Sequence, residues 1–502
     1  MSHFQGVKGR WTLPRLLVAG ASLFALGACN TDKLVAVEDP NQLRPVDVDN
    51  IASTPQLVQG AIRQFVGGYS GFGDDAFLSA SAVITDEFYY GDTFTTRQAA
   101  DIRSLQPTAL GNISDNAFSR HQQSRINARR AVAQVTKYTA PSTGAADSAT
   151  RATLRAFEGY VYVTLSEGWC AAVPFSIVPD TGVVDPSVIQ NGSPIGTAEM
   201  NDTAVTRFDQ ALAFNANQNL AKIGKARALL NNAKYALAGA SVASVPTTYV
   251  YRLEHSANSG SENNPLVALQ QNGRYGVANL EGGTTATGTV LRPDLNPPPA
   301  TGLNAEGLAF RGAADPRIPN ILGRNCFTSS IRCFYNQNYP DFDADVPFAS
   351  GVEARLIEAE AALQANDIPT YLSKLNALRV SSTSLLAVLY PTQKQTFFTS
   401  GAVKSLDPLV DPADPTASAA SQFAARRAQL FSERAFWLFN TGHRQGDLRR
   451  LVRNYNLTTQ QVFPSGLFFR GGSYGNDVAY PVPFNEQNNT NFNPSVCSTT
   501  TA

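Results

Sequence analysis

Apolar side chains recur at helical spacing over residues 204–242. Val205, Phe208 and Leu212 occupy positions i, i+3 and i+7, which lie on one face of an α-helix. Further apolar groups follow after residues that favour turns, the last of them beginning at Tyr235. The pattern predicts successive short helices in this part of the chain.

A helical hairpin is predicted over residues 352–378. The apolar positions of its two halves are Val352, Leu356, Ala359 and Leu363, then Tyr371, Leu372, Leu375 and Leu378. Asn366 and Asp367 mark the turn between them. Two helices of about 12 residues joined by a tight turn are the unit of tetratricopeptide (TPR) repeats, which stack because one pair cannot cover its own apolar face. Because the spacing is irregular, we expect a mainly α, degenerate TPR-like scaffold.

A long amphipathic helix is predicted near the C-terminus. Its apolar face is formed by Phe423, Leu430, Phe431, Trp437 and Leu438, spaced as a helix requires. Thr441-Gly442 ends it, and Gly442 suits a left-handed cap. Asp447 suits the N-cap of a following helix, where a carboxylate meets unpaired amides.

Residues 246–350 have a different composition. Runs such as 259–265, 282–288 and 296–299 consist mainly of Gly, Pro, Ser, Asn and Thr, which favour turns and loops. Scattered tyrosines and phenylalanines argue against disorder. We expect a long, ordered, loop-rich insertion, and long loops on a rigid scaffold commonly carry function.

The N-terminal segment 1–28 has the features of a signal peptide. Three basic residues precede a short apolar stretch that is too short to span a bilayer. Leu26-Gly27-Ala28-Cys29 resembles a bacterial lipobox, in which the cysteine is acylated and becomes the mature N-terminus. We expect Cys29 to anchor the protein in a membrane. The alternative is an ordinary signal peptide whose cysteine joins a disulfide. Residues 29–50 are predicted to form a tether and residues 51–502 the folded domain.

Charge and cysteine content narrow the function. The chain has 40 basic and 40 acidic residues, so it lacks the positive surface that nucleic acid requires. Four cysteines remain besides Cys29, and in an oxidising compartment they allow three disulfide connectivities. Cys326 and Cys333, seven residues apart, are the favoured pair, whereas pairing of Cys170 with Cys497 stays open. Without a CxxC pair or a histidine cluster, no metal and no cofactor are expected.

Four segments carry a family resemblance. The strongest is Glu433-Arg434, Phe436, Gly442-His443-Arg444 and Asp447-Leu448-Arg449-Arg450. In order and spacing it resembles the "ER…F…GHR…DLRR" signature of the SusD/RagB family. Three further segments resemble that family in the expected order: 156–174, 356–379 and 480–494.

The resemblance implies a fold and a function. It implies a SusD-like α-helical body on the cell surface, anchored in the outer membrane. Such a protein lies as a lid on a TonB-dependent outer-membrane β-barrel transporter and captures an oligosaccharide or a peptide for uptake. It performs no chemistry, so no catalytic residues are expected.

Two regions are candidates for ligand binding. Residues 86–92 combine carboxylates with aromatic rings, and rings stack on sugar CH faces while acids accept hydroxyl hydrogen bonds. The aromatic residues of the insertion have the same chemistry. The candidate contacts are Asp86, Tyr89, Tyr90, Tyr335 and Tyr339. The alternative is that these aromatic residues belong to the core and that Asp86 caps a helix.

Two other functions remain open at this point. Glu433, Arg434, Asp447 and Arg450 invite comparison with a catalytic acid pair, but buried ion pairs or a cap account for them better. A lipid-anchored glycoside hydrolase needs two acids at no fixed sequence spacing. A TPR-like scaffold that binds only proteins is the other alternative.

Overall fold

The computed structural model describes residues 47–71, 75–105, 111–139, 144–178, 190–285, 287–295, 307–392 and 405–502. The predicted signal peptide, Cys29 and most of the tether lie outside the described residues. The chain divides into two units, 1–48 and 49–502, and every element described below belongs to the second. No helix in the described ranges has the length and apolar character needed to cross a membrane.

Helices dominate the second unit, which confirms the prediction of a mainly α fold. Those of its first half are α1 (Thr54–Ser70), α2 (Phe77–Val83), α3 (Thr95–Asp101), α4 (Asp115–Tyr138), α5 (Ala145–Gly168), α6 (Thr197–Phe214), α7 (Asn219–Asn231) and α8 (Tyr235–Val242). Those of its second half are α9 (Pro265–Gln271), α10 (Gly351–Gln364), α11 (Ile368–Val380), α12 (Ser382–Leu389), α13 (Ala419–Trp437), α14 (Arg444–Tyr455) and α15 (Thr459–Val462).

Neighbouring helices pack as hairpins. α1 packs on α4, α4 on α5, α5 on α6, and α6 on α7, and then α8 packs on α10 and α10 on α11. The predicted short helices over 204–242 are α6, α7 and α8, and the predicted hairpin is α10 and α11. In that hairpin Asn366 takes φ of 56°, which asparagine tolerates better than most residues. The Asp367 side chain then caps α11 by accepting from Thr370 N.

The described residues contain eight short strands, which form four antiparallel pairs. They are β1 (Phe88–Tyr90), β2 (Val173–Pro174), β3 (Pro194–Ile195), β4 (Val250–Leu253), β5 (Tyr275–Val277), β6 (Asn320–Asn325), β7 (Arg332–Asn336) and β8 (Val346–Ser350). β1 pairs with β5, β2 with β3, β4 with β8, and β6 with β7. Segment 246–350 therefore carries β4 to β8 and α9, and is more regular than its composition predicted. Strands of three to six residues are too short to show a clear alternating pattern.

Aromatic rings fill the centre of the helical body. Tyr69 meets Phe348 edge to face at 4.8 Å between ring centroids, and Phe77 stacks on Trp169 at 5.8 Å. These rings come from α1, α2, the end of α5 and β8, and all are buried. Edge-to-face and offset arrangements suit the ring quadrupoles. The aromatic core thus joins the first helices to the strand that precedes α10.

Two disulfides are present among the described residues. Cys326 and Cys333, the favoured pair, are bonded and close the turn between β6 and β7. Cys170 is bonded to Cys497 with 5.2 Å between their Cα atoms. The second bond joins the end of α5 to the C-terminal segment, a connection that the sequence left open.

The charged residues of the C-terminal signature lie in a buried ion-pair network. Arg434 grips Asp447 with two hydrogen bonds of 2.8 Å, and Arg450 donates a third to the same carboxylate at 2.8 Å. Although burial opposes ionisation, these two guanidiniums hold the pKa of Asp447 well below its usual range. Arg450 also pairs with Glu360 of α10.

The prediction that Asp447 is an N-cap is wrong. The N-cap of α14 is His443, and Asp447 lies inside the first turn. Two charged donors hold a carboxylate more strongly than neutral amides do, which is why Asp447 turns to Arg434 and Arg450. The structural interpretation of these charges is confirmed. Gly442 does take a left-handed conformation, with φ of +80°, and a Cβ there would overlap the Tyr69 hydroxyl.

We expect Asp447→Asn to lower the free energy of unfolding by roughly 3–5 kcal/mol, since it leaves two buried guanidiniums without their shared carboxylate. Chemical denaturation followed by circular dichroism measures this change. Asp411→Asn is the matched control, because it removes a carboxylate that pairs with Arg426 in a more exposed setting and should cost at most about 1 kcal/mol. Equal losses of unfolding free energy in the two variants would contradict the stabilising role of the buried ion-pair network.

Candidate functional site

The two regions singled out in the sequence meet at one surface. β1 runs antiparallel to β5, with Phe88 opposite Val277. Beyond β1, Gly91 N donates to Arg274 O at 2.8 Å, and Thr328 N donates to Gly91 O at 2.9 Å. The residues after β1 therefore lie against the disulfide-closed turn of the insertion.

Glycine is required where these two segments touch. A Cβ added at Gly91 would overlap the Sγ atom of Cys326. On the other side of the turn, Phe327 N donates to Gly273 O at 2.8 Å, and Gly273 has φ of +67°. The disulfide between Cys326 and Cys333 fixes the turn against this backbone, so the surface has a rigid support.

Most of the predicted ligand contacts are buried behind this surface. Asp86 is 1% exposed; it accepts two hydrogen bonds from Arg444, at 2.7 and 2.8 Å, and one from Leu308 N at 2.9 Å. Tyr339 is 2% exposed and donates to Asn440 O at 3.0 Å. Both side chains are occupied by internal partners. Their burial favours a structural role.

Tyr89 and Tyr90 are also buried, and Tyr335 is half-buried. The Tyr89 hydroxyl donates to Arg332 O. The Tyr90 hydroxyl accepts a hydrogen bond from Phe94 N at 2.7 Å. Tyr90 therefore holds the start of α3 in place, and only Tyr335 among the predicted tyrosines offers part of its ring to solvent.

An exposed aromatic ring stands next to these buried residues. Phe94 is 51% exposed, and the guanidinium carbons of Arg97 and Arg274 lie 4.5 and 5.0 Å from its ring centroid. Arg274 pairs with Asp92 at 3.1 Å. Two cations on one ring fix its orientation. We call Phe94, Arg97 and Arg274 the Phe94 platform.

A groove of about 330 Å³ runs along α3, the helix that begins at the residue after Phe94. It is lined by Thr95, Gln98, Ala99, Ile102, Ser104, Ser473 and Gly475. The Gly475 amide donates to Ile102 O at 2.7 Å, which joins the second wall to α3. A hydroxyl- and amide-lined groove beside an exposed ring can hold a neutral polar ligand that has apolar faces.

A buried carboxyl pair supports α3 from behind. Asp101 accepts a hydrogen bond from Tyr90 N at 3.1 Å and shares a hydrogen bond with Glu281. The exposed fractions of Asp101 and Glu281 are 2% and 0%. Burial raises the pKa of Asp101 to about 7 and that of Glu281 well above its usual range. A shared proton therefore ties α3 to the insertion.

The sequence prediction missed Phe94, Arg97 and Arg274. The predicted aromatic segment ends at Asp92, only two residues before Phe94. No sequence signal distinguishes an exposed phenylalanine from a buried tyrosine when both lie in short elements. Within the described ranges, no group of three or more His, Cys, Asp or Glu side chains is arranged to hold a metal ion.

Comparison with known proteins identifies the fold. No family model and no curated protein matches the chain. Solved structures do match. B. fragilis NanU has a TM-score of 0.56 and 12% identity, covering 91% of this chain and 98% of its own. A SusD-like carbohydrate-binding protein from Bacteroides vulgatus has a TM-score of 0.52 and 12% identity, covering 80% and 83%.

A SusD/RagB family protein from Bacteroides thetaiotaomicron gives a similar result, with a TM-score of 0.52, 14% identity and coverage of 88% of this chain and 95% of its own. At these identities the likeness establishes the fold. The chain has the SusD-like fold, and the prediction drawn from the sequence signature is confirmed at that level.

The carboxyl pair predicts how stability depends on pH. Because Asp101 and Glu281 hold protons more tightly when folded, the contribution of this pair to the free energy of unfolding falls as pH rises from about 4 to 7. Asp101→Asn keeps an oxygen for Tyr90 N but removes one titrating group. We expect it to flatten this fall by up to roughly 1 kcal/mol per pH unit.

Denaturation at pH 5, 6 and 7 measures the slope. Asp414→Asn is the control, since a hydrogen bond from Thr416 lowers the pKa of Asp414 and moves its titration below this range. An unchanged slope in Asp101→Asn would show that the pair does not titrate as described.

Proposed function

We propose that this chain, which has the SusD-like fold, is a lipid-anchored outer-membrane protein that captures an oligosaccharide and delivers it to a TonB-dependent transporter. The observation that carries the proposal is the Phe94 platform beside the groove along α3. A half-exposed ring of fixed orientation next to neutral hydrogen-bonding groups is the arrangement that a saccharide requires. The ring packs on sugar CH faces, and the hydroxyls and amides bind sugar hydroxyls.

The groove lining favours a glycan over a peptide. The described residues that line it offer hydroxyl, amide and apolar groups and no charged side chain. These groups can bind the neutral hydroxyls of a sugar, whereas the charged groups of a peptide would find no opposite charge among them. One neighbour of the same fold is described as carbohydrate binding, which supports this choice of ligand class.

Binding without catalysis fits the carboxylates of the site. A glycoside hydrolase needs two acids that reach the scissile bond from opposite sides. Asp101 and Glu281 are buried behind α3, and Asp92 is 2% exposed and paired with Arg274. None of these three acids lines the groove, and none is therefore placed to act on a sugar bound there.

The anchor and the partner complete the proposal. Cys29 carries the lipid and holds the protein on the cell surface, and the helical body lies over a TonB-dependent β-barrel. This assignment rests on the lipobox-like sequence and on the fold. Capture by the lipoprotein raises the local concentration of ligand at the transporter mouth, because the two proteins share one surface.

The first test measures glycan binding by the Phe94 platform. We expect Phe94→Ala to weaken binding of a glycan identified by array screening about tenfold, since one ring contact is lost. Isothermal titration calorimetry provides the dissociation constants. Phe484→Ala is the matched control. Phe484 is exposed to a similar extent, at 40%, but belongs to the C-terminal segment.

Three outcomes of that test would contradict the proposal that the platform binds a glycan without catalysis. Equal losses of glycan affinity in the two variants would show that the platform is not part of the binding site. Binding of peptides but not glycans on the same array would change the ligand class. Turnover of a bound glycan would favour the hydrolase.

The second test addresses the anchor and the partner. Solubilised outer membranes should yield a TonB-dependent barrel in stoichiometric amount with the tagged protein, identified by mass spectrometry. Cys29→Ser should move the protein from the membrane fraction to the soluble fraction, since acyl chains supply its membrane affinity. Recovery of other proteins in place of the barrel would favour the scaffold alternative.

A further inference from the structure

A second cavity lies between α13, α14 and α15. Its volume is about 520 Å³, within the range of small-molecule sites. Phe431, Leu448, Leu451, Leu457 and Val462 contribute its apolar wall. None of these residues belongs to the Phe94 platform or the groove along α3.

The cavity contains an unpaired positive charge. Arg427 lines it and makes no ion pair or hydrogen bond with any described residue; its guanidinium carbon lies 6.0 Å from the centroid of the Tyr455 ring. Arg444 also reaches the wall, but Asp86 already holds it. Among the described residues that line the cavity, none is acidic. These residues therefore carry a net positive charge, and Arg427 is the group available to a ligand.

Arg426, the residue before Arg427 on α13, already has an acidic partner. Arg426 forms two hydrogen bonds with Asp411, at 2.9 and 2.7 Å. Arg427, one residue later, faces the cavity instead. Burial lowers the pKa of Arg427, so its charge is incompletely solvated. A bound anion would compensate for that lost solvation.

We propose that this cavity binds a small organic acid, with the carboxylate on Arg427 and the apolar body against Phe431, Leu448 and Leu451. A guanidinium matches a carboxylate with two parallel hydrogen bonds, and the apolar wall removes the rest of the ligand from water. The same chemistry is offered by a free acid and by the C-terminal residue of a peptide. This site is independent of the glycan groove and does not rest on the proposed function.

Ligand-observed NMR with simple probes tests the site. Phenylacetate stands for the free acid and N-acetylphenylalanine for a peptide end, and the amide of each is its neutral counterpart. We expect each acid that binds to do so about tenfold more tightly than its amide, because only the acid forms charge-assisted hydrogen bonds. The tighter of the two acids identifies the source of the ligand.

Three variants locate the binding to the cavity. Arg427→Gln should weaken acid binding about tenfold and abolish the preference for acid over amide. Ala428→Phe, at an exposed position that lines the cavity, should block acid and amide alike by filling the space. Arg426→Gln removes the neighbouring charge outside the cavity and should leave binding unchanged.

Circular dichroism spectra and melting temperatures of the variants establish that each is folded. Equal binding of acid and amide would overturn the proposal, as would equal effects of Arg427→Gln and Arg426→Gln. Unchanged binding in Ala428→Phe would place the acid elsewhere on the surface and would also overturn it.

Discussion

The fold depends on burying several charges together. Arg434, Arg450 and Asp447 form one cluster. Arg444 and Asp86 form a second cluster, which lies one turn of α14 from Asp447. A single unpaired charge at such depth would cost several kcal/mol. Each arginine therefore requires its acid to be in position: Asp447 is close in sequence, whereas Asp86 precedes β1 and Glu360 lies in α10. The ion pairs thus tie the C-terminal helices to the segment before β1 and to helix α10.

The need to pair these buried charges explains why the sequence signature predicts the fold and does not predict the ligand. Its charged residues point inward and hold helices together, so their order and spacing follow the helical body. Sequence also predicts the hairpin of α10 and α11 and the helices over 204–242, because local periodicity encodes them. Asp447 was misassigned because a carboxylate near a helix start looks like a cap until the guanidiniums that approach it are known.

The candidate site was only partly predictable. Its location followed from the mix of carboxylates and aromatic rings after residue 85, but which rings reach solvent depends on the pairing of β1 with β5, residues that are far apart in sequence. That register buries Tyr89 and Tyr90 and leaves Phe94 outside. Composition likewise concealed the short strands of the insertion. Long-range pairing, which no local pattern encodes, decides both features.

The bond between Cys170 and Cys497 has a consequence for the order of events in the cell. The two cysteines are 327 residues apart, so the crosslink has to wait until residue 497 has been synthesised and has reached an oxidising compartment. Until then the end of α5 lacks its covalent link to the C-terminal segment. The closure therefore follows the synthesis of the whole stretch between the two cysteines.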